Sequence, residues 1–209
     1  MKILVCFALK EEATPFRSLA AKNPAVEILL VGIGRLNAAR SIRKALAKET
    51  PALVLTCGFA GGLNPEFKLG TVIFAGGVER LYARFISTGA KPAEIFCADR
   101  IAITAAEKGQ LRLQTGADAV EMESGAIQDA CRAAHVPCAT VRVISDQADE
   151  DLPLDFNALS KPDKNLDFGK LAWAIARSPG KIGGLLRLQK NTKFAARQLA
   201  AVLAEITSL

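Results

Sequence analysis

Chemically active residues follow four of the buried strands that the sequence predicts. Three of these positions carry carboxylates, at Lys10–Glu12, Glu121–Glu123 and Ser145–Asp146, and the fourth is the glycine-rich segment Cys57–Gly62. Ligands of open α/β sheets bind beyond the carboxyl ends of the strands. His135 is the only histidine, which nearly excludes a His-rich metal site or a Ser-His-Asp triad. We therefore expect catalysis by carboxylates, assisted by arginine, hydroxyl or backbone groups.

Two of these segments also have a purely structural interpretation. Acidic residues at Glu121–Glu123 would complement the dipole at the start of a helix, and Ser145–Asp146 would serve as an N-cap.

The pair Gly32 and Gly34 resembles the start of a dinucleotide-binding fingerprint, but Asn37 stands where the third glycine is required. A dinucleotide oxidoreductase is therefore disfavoured.

The elements that must position these segments alternate between strands and helices. Short apolar runs predict strands, and 3.6-residue periodicity predicts helices. The predicted strands are Met1–Ala8, Val26–Val31, Ala52–Thr56, Thr71–Ala75, Tyr82–Ile86, Ala93–Cys97, Ala119–Met122 and Pro137–Ile144, with Cys57–Gly62 as a turn. The predicted helices are Glu11–Ala21, Leu36–Ala47, Thr104–Leu113, Ser124–Ala134, Leu166–Ala176 and Ile182–Ile206. This alternation predicts an α/β fold, a central mixed sheet flanked by helices, in a single domain over residues 1–209.

Composition restricts the compartment and the class of partner. Half of the 209 residues are hydrophobic, so the chain can bury a large core. Its five cysteines form no CxxC pair, which favours reduced thiols in a cytoplasmic protein. The net charge is +6, but acidic residues are interspersed and aromatic residues are few, so nucleic acid is not an expected partner.

Basic residues are concentrated in the C-terminal segment, residues 178–209. This segment contains five basic residues and one acidic residue: Lys181, Arg187, Lys190, Lys193, Arg197 and Glu205. The apolar stripe of Phe194, Leu199, Val202, Leu203 and Ile206 favours packing on the core. The apolar residues of Ile182–Leu188, surrounded by basic ones, are typical of an interfacial helix, so peripheral membrane contact stays open.

Five motifs, in this order, resemble the purine nucleoside phosphorylase / methylthioadenosine nucleosidase superfamily. They are Ala8-Leu9-Lys10-Glu11-Glu12, Gly32-Ile33-Gly34, Gly58-Phe59-Ala60-Gly61-Gly62-Leu63, Ala119-Val120-Glu121-Met122-Glu123 and Val141-Arg142-Val143-Ile144-Ser145-Asp146. Within it, Ala98–Arg100, Thr104–Lys108 and Leu152–Phe156 are similar to the hopanoid-associated branch, the adenosylhopane nucleosidases. The resemblance implies a three-layer phosphorylase/hydrolase-like fold that cleaves the bond between a purine and ribose without a metal or cofactor.

The resemblance also implies catalytic roles. Asp146 would donate a proton to N7 of the purine, and Ser145 would orient Asp146. A carboxyl group beside Ile144 and under an apolar loop would hold a proton near neutrality. Glu12 would be the general base that activates water, and Arg142 would help to position Glu12 and that water.

Substrate-binding roles follow from the same resemblance. Glu123 would accept hydrogen bonds from the ribose hydroxyls, and Met122 would pack on the sugar. Backbone groups of Ile101 and Ala102 would read the purine edge. Phe156 would lie near the 5′ substituent.

Two features depart from the superfamily pattern. In the glycine-rich segment, Gly61 allows close backbone approach, but Phe59 replaces the small hydroxyl residue that a phosphorylase commonly uses on phosphate. Phe59 and Glu12 therefore favour hydrolysis. The stretch between Gly62 and Glu121 is also short; this puts the contacts of the expected homodimer in doubt and would admit a bulky, even lipid-linked, 5′ group.

The leading hypothesis is a hydrolase that releases adenine from a 5′-substituted adenosine, with adenosylhopane, which would give ribosylhopane, as one candidate. The open alternatives are a purine nucleoside phosphorylase, a methylthioadenosine/adenosylhomocysteine or futalosine nucleosidase, and a non-catalytic nucleoside-binding protein.

Overall fold

Strands and helices alternate along most of the chain. The computed structural model describes residues 2–76, 79–159, 177 and 179–208. The strands are β1 (Ile3–Phe7), β2 (Val26–Leu30), β3 (Leu53–Gly62), β4 (Val72–Gly76), β5 (Lys91–Pro92), β6 (Ile95–Cys97), β7 (Ala119–Glu121) and β8 (Cys138–Asp146). The helices are α1 (Lys10–Ala20), α2 (Arg35–Lys48), α3 (Glu79–Ser87), α4 (Ala105–Thr115), α5 (Ser124–Ala133) and α6 (Ile182–Thr207).

The strands form one mixed sheet. Its order is β2-β1-β3-β8-β4-β5, and β2, β1, β3 and β8 run parallel. Strand β4 is antiparallel to β8. Strand β7 pairs antiparallel with the end of β3 at Gly61 and Gly62, and β6 pairs parallel with β7. This mixed sheet, flanked by helices, has the predicted α/β architecture.

Alternate residues of the central strands face two different helical layers. In β1, Val5 and Phe7 belong to a core cluster shared with α1 and α6, whereas Leu4 and Cys6 belong to a cluster shared with α2 and α5. Because both faces are covered, β1 needs apolar residues at every position. This explains why its sequence is continuously apolar.

Two predicted elements were wrong. The segment Cys57–Gly62 is not a turn, because it continues β3 and pairs with β8. The predicted strand Tyr82–Ile86 lies in helix α3, where Leu81 and Phe85, four residues apart, are both buried. This i, i+4 spacing places both side chains on one helical face, which packs in the core. The predicted helix Leu166–Ala176 lies outside the described residues.

Helix α6 divides into two parts with different surroundings. Its C-terminal half is in the core, where Leu199, Leu203 and Ile206 are buried as predicted. In its N-terminal half Leu186 is 62% exposed, and Phe194, which was expected to pack in the core, is 44% exposed. None of the described helices has the length and hydropathy needed to cross a membrane.

Candidate active site

A cavity of about 200 Å³ opens at the carboxyl ends of β3, β7 and β8. Nine of the predicted site residues line it: Glu12, Phe59, Gly61, Ile101, Ala102, Met122, Glu123, Ser145 and Asp146. Two others, Arg142 and Phe156, are not among the described residues that line it. The cavity therefore lies where the strand order and the predicted motifs place a ligand site.

Glu12 lies in the first turn of α1 with its carboxylate buried at the base of the cavity. Its Oε2 accepts a hydrogen bond from the Leu9 backbone N–H at 2.9 Å, and its Oε1 accepts one from the Phe59 N–H at 2.8 Å. Burial raises the pKa of Glu12 to about 7, although both backbone donors and Arg142 act to lower it. Glu12 can therefore gain or lose a proton near neutrality, as a general base must.

Gly58 makes room for two charged side chains. A Cβ atom at this position would lie 2.7 Å from Oε1 of Glu12 and 2.8 Å from Nη1 of Arg142. Its φ of +152° is also one that side-chain-bearing residues rarely adopt. Gly58 thus admits a carboxylate of the protein itself, whereas the sequence pattern indicated only close approach to a ligand.

Arg142 lies close to Glu12 at Gly58, but its ion-pair partner is Glu121, and its role in positioning water stays a prediction. It is buried, its guanidinium forms an ion pair with Glu121, and its Nη2 donates to Oγ1 of Thr56 at 3.2 Å. The ion pair with Glu121, and not one with Glu12, is what holds Arg142 in place, and Arg142 lies behind the cavity wall. The first glutamate of the Glu121–Glu123 motif was therefore missed as the partner of Arg142.

The two glutamates of this motif have opposite electrostatic environments. Burial alone would raise the pKa of Glu121, but Arg142 and hydrogen bonds from Ser124 and Glu123 bring it below its ordinary value. Burial raises the pKa of Glu123, whose Oε1 accepts a hydrogen bond from the Gly34 N–H at 2.7 Å. Glu121 is thus held as an anion, and Glu123 faces the cavity. Across the described residues, no group of three or more His, Cys, Asp or Glu side chains could hold a metal ion.

Asp146 lies at the end of β8, with both carboxylate oxygens engaged. Its Oδ1 accepts a hydrogen bond from Oγ of Ser145 at 2.7 Å, which agrees with the predicted orienting contact. Its Oδ2 lies 2.5 Å from Nζ of Lys108, a fully buried residue. The expected apolar enclosure of Asp146 was therefore wrong, because a buried ammonium group contacts it.

Lys108 was not predicted as a site residue. It lies near the N-terminus of helix α4, where the helix dipole disfavours a positive charge. A lysine in the first turns of a predicted helix therefore indicates that a carboxylate from elsewhere in the fold offsets the unfavourable dipole interaction.

Ile101 and Ala102 line one wall of the cavity, whereas Phe156 is outside its lining. Asn157 forms two hydrogen bonds of 2.9 Å with Ile101, one to its N–H and one to its carbonyl. The Ile101 N–H is therefore already paired, whereas its carbonyl oxygen keeps a second lone pair, so the purine-edge role of Ile101 and Ala102 stays a prediction. Phe156 is half-buried in the turn that carries Asn157.

Comparisons with known proteins agree with this picture. Residues 95–176 match the family model of the Phosphorylase superfamily. An aminodeoxyfutalosine nucleosidase of Campylobacter jejuni is 24% identical over 207 residues, covering 75% of this chain and 90% of the relative.

Solved structures show the same fold. A futalosine hydrolase of Helicobacter pylori superposes with a TM-score of 0.74 at 18% identity, covering 99% of this chain and 97% of the other. A 5′-methylthioadenosine/S-adenosylhomocysteine nucleosidase of Neisseria meningitidis, in complex with methylthio-immucillin-A, gives 0.74 at 19% identity, covering 98% and 97%.

Proposed function

We propose that this chain is a nucleosidase of the Phosphorylase superfamily, which hydrolyses the N-glycosidic bond of a purine nucleoside and releases adenine. The observation that carries the proposal is that Glu12, Glu123 and Asp146 converge on one cavity from three separate elements. The similarity to a nucleosidase of Campylobacter jejuni supports it.

The reaction needs a proton for the base, stabilisation of the sugar and an activated water. Asp146 donates a proton to N7 as the C1′–N9 bond breaks and its electron pair leaves with adenine. Glu123 accepts hydrogen bonds from the ribose hydroxyls and stabilises the positive charge that develops on the sugar. Glu12 removes a proton from the water whose oxygen bonds to C1′.

Hydrolysis is favoured over phosphorolysis by the surroundings of Glu12. A buried carboxylate beside the reacting carbon would repel a phosphate anion. The Phe59 backbone N–H, a donor on the glycine-rich segment, is already bound to Glu12 at 2.8 Å. These contacts favour water as the nucleophile.

The proposal extends to a 5′-substituted adenosine, and adenosylhopane is one candidate. Support comes from helix α6, where the exposed Ile182 and Leu186 lie among Lys181, Arg187 and Lys190. Gly184 of this part of α6 packs against Pro153, next to Leu152 in the cavity wall. A lipid-linked 5′ group leaving the cavity there would meet apolar side chains and basic residues suited to anionic headgroups.

An activity assay tests the nucleosidase proposal. Purified protein is incubated with adenosine and with adenosines bearing small, amino-acid, futalosine-type or lipid 5′ groups, with and without phosphate. We expect adenine and a free sugar. Formation of ribose 1-phosphate would contradict hydrolysis, and binding without adenine release would favour a non-catalytic nucleoside-binding protein. Asp146→Asn should lower kcat by roughly 10²–10⁴, as loss of a general acid does.

Flotation with vesicles of zwitterionic and anionic lipid tests the membrane contact. We expect the full chain to float with anionic vesicles and Leu186→Glu to float less. Equal recovery of both proteins in the soluble fraction would refute this part of the proposal.

A further inference from the structure

Lys108 is a fully buried lysine whose three ammonium donors are all used. Its Nζ donates to the carbonyl of Gln147 at 2.7 Å and to that of Glu150 at 2.9 Å, and it contacts Oδ2 of Asp146 at 2.5 Å. An ammonium group has three N–H donors. Lys108 therefore connects helix α4 to the end of β8 and to the loop that follows it.

Burying this ion pair costs desolvation free energy, and apolar side chains could fill the same space without that cost. Desolvation of two charges offsets much of their attraction, and apolar residues of similar volume are often as stable or more so. In the proposed mechanism, Asp146, the partner of Lys108, passes a proton to the base. An ionised carboxylate has no proton to give, so the proton must come from a neighbouring group such as the Lys108 ammonium.

We propose that Lys108 and Asp146 share one transferable proton and that Lys108 supplies it to Asp146 during base departure. This inference rests on the proposed nucleosidase function. As the C1′–N9 bond breaks, an N–H bond of Lys108 breaks and an O–H bond forms on Oδ2. That O–H bond breaks as N7–H forms, which leaves a neutral amine beside an Asp146 carboxylate. Proton exchange with solvent after adenine leaves restores the ammonium.

Other charged groups near the pair have partners of their own. The Glu150 carboxylate accepts a hydrogen bond from the Gln147 N–H, and the Asp151 carboxylate accepts one from the Ala105 N–H. Glu107, on the same helix, pairs with Arg100 at 2.9 Å. The other carboxylates that line the cavity are Glu12, Glu121 and Glu123. Among these, Lys108 is the cation in contact with Asp146.

The pair provides a proton over a wide pH range. A carboxyl group alone loses its proton in mildly acidic solution, whereas an ammonium group keeps one well above neutrality. Removing Lys108 should therefore cost more activity, relative to the wild type, at high pH than at low pH. This distinguishes proton supply from a merely structural role, which would lower activity equally at all pH values.

The test is the pH profile of kcat for Lys108→Met, with the exposed Lys44→Met as the matched control. We expect Lys44→Met to match the wild type. The kcat of Lys108→Met should be at least 10-fold below that of the wild type at pH 7–8, and the ratio of the two should approach 1 as the pH falls toward 5, where the wild type is slow as well. A uniform loss across pH, or no loss, would overturn the proposal. If the wild type released no adenine from any nucleoside, the nucleosidase proposal itself would be refuted.

Two further measurements distinguish loss of proton supply from misfolding of the Lys108→Met variant. A riboside of 4-nitrophenol has a leaving group that needs no protonation, so Lys108→Met should cleave it at close to the wild-type rate. Loss of this activity as well would show that Lys108 is structural. Lys108→Arg keeps the charge but holds its proton more tightly, so it should remain impaired on nucleosides at pH 7–8; full activity would contradict proton supply.

Discussion

The carboxylates around the cavity have the same chemistry but different surroundings. Glu121 is paired with Arg142, Asp146 with Lys108, and Glu12 accepts only backbone N–H groups. Separate environments allow similar groups to take separate roles at one pH. The assignment of base, sugar ligand and acid to Glu12, Glu123 and Asp146 relies on this separation.

The pH dependence of activity tests the role of Glu12. A general base must be ionised, and burial raises the pKa of Glu12 to about 7. We therefore expect kcat/KM to fall as the pH drops below about 7, close to 10-fold per pH unit. Steady-state rates of adenine release from pH 5 to pH 9 measure this. A kcat/KM that stayed constant down to pH 5 would show that Glu12 is not the base.

Arg142 and Glu121 form a buried ion pair. Arg142→Met leaves Glu121 unpaired in the interior, which should cost about 3–5 kcal/mol in the free energy of unfolding. Urea denaturation measures the cost. Arg132→Met, which removes an exposed pair with Asp129, is the control and should change the free energy of unfolding by less than about 1 kcal/mol. A similar loss in both variants would argue against a special role for the buried pair.

At the scale of elements, the start of helix α4 holds one wall of the cavity. Lys108 contacts the loop after β8, the Ala105 N–H donates to Asp151 at 2.7 Å, and the Leu152 N–H donates to the Ile103 carbonyl at 2.8 Å. These contacts join two segments that are far apart in sequence. The position of Lys108 therefore depends on where α4 begins.

The capping box at Thr104 fixes that beginning. Oγ1 of Thr104 accepts a hydrogen bond from the Glu107 N–H at 3.1 Å, and the Glu107 carboxylate accepts one from the Thr104 N–H. Thr104→Ala should lower the free energy of unfolding by about 1 kcal/mol. Gly109→Ala, where a Cβ atom meets nothing within 4 Å, should raise it by about 0.5–1 kcal/mol. Urea denaturation measures both; equal effects would contradict this account of α4.

At the scale of the whole molecule, helix α6 serves both the core and the surface. Leu203 is fully buried against the sheet and α1, whereas Leu186 is largely exposed. Leu203→Ala should cost about 2–5 kcal/mol in the free energy of unfolding, because it leaves a cavity in the core.

Leu186→Ala is the matched control for this prediction. It removes the same atoms from an exposed site, so we expect a change within about 0.5 kcal/mol. Thermal and urea unfolding of the two variants decide the point. A large loss of stability in Leu186→Ala would mean that the N-terminal half of α6 is packed, and would remove the support for a lipid-facing role.

The sequence alone determined the local features, which depend on residues close together along the chain. The apolar run of β1 predicted a buried strand, and side-chain periodicity predicted a helix that begins near Thr104. The Glu121–Glu123 and Ser145–Asp146 motifs were correctly placed at the ends of strands. These features depend on local backbone chemistry and side-chain periodicity, which the sequence contains directly.

Only the tertiary structure decided which charged groups meet. It paired Lys108 with Asp146 and Arg142 with Glu121, and it extended β3 through Gly62. Each of these outcomes depends on distances between segments that are remote along the chain, and a buried charge is stable only beside its partner. The carboxylates that converge on the cavity were therefore predictable, whereas the pairing of each carboxylate with a particular buried cation was not.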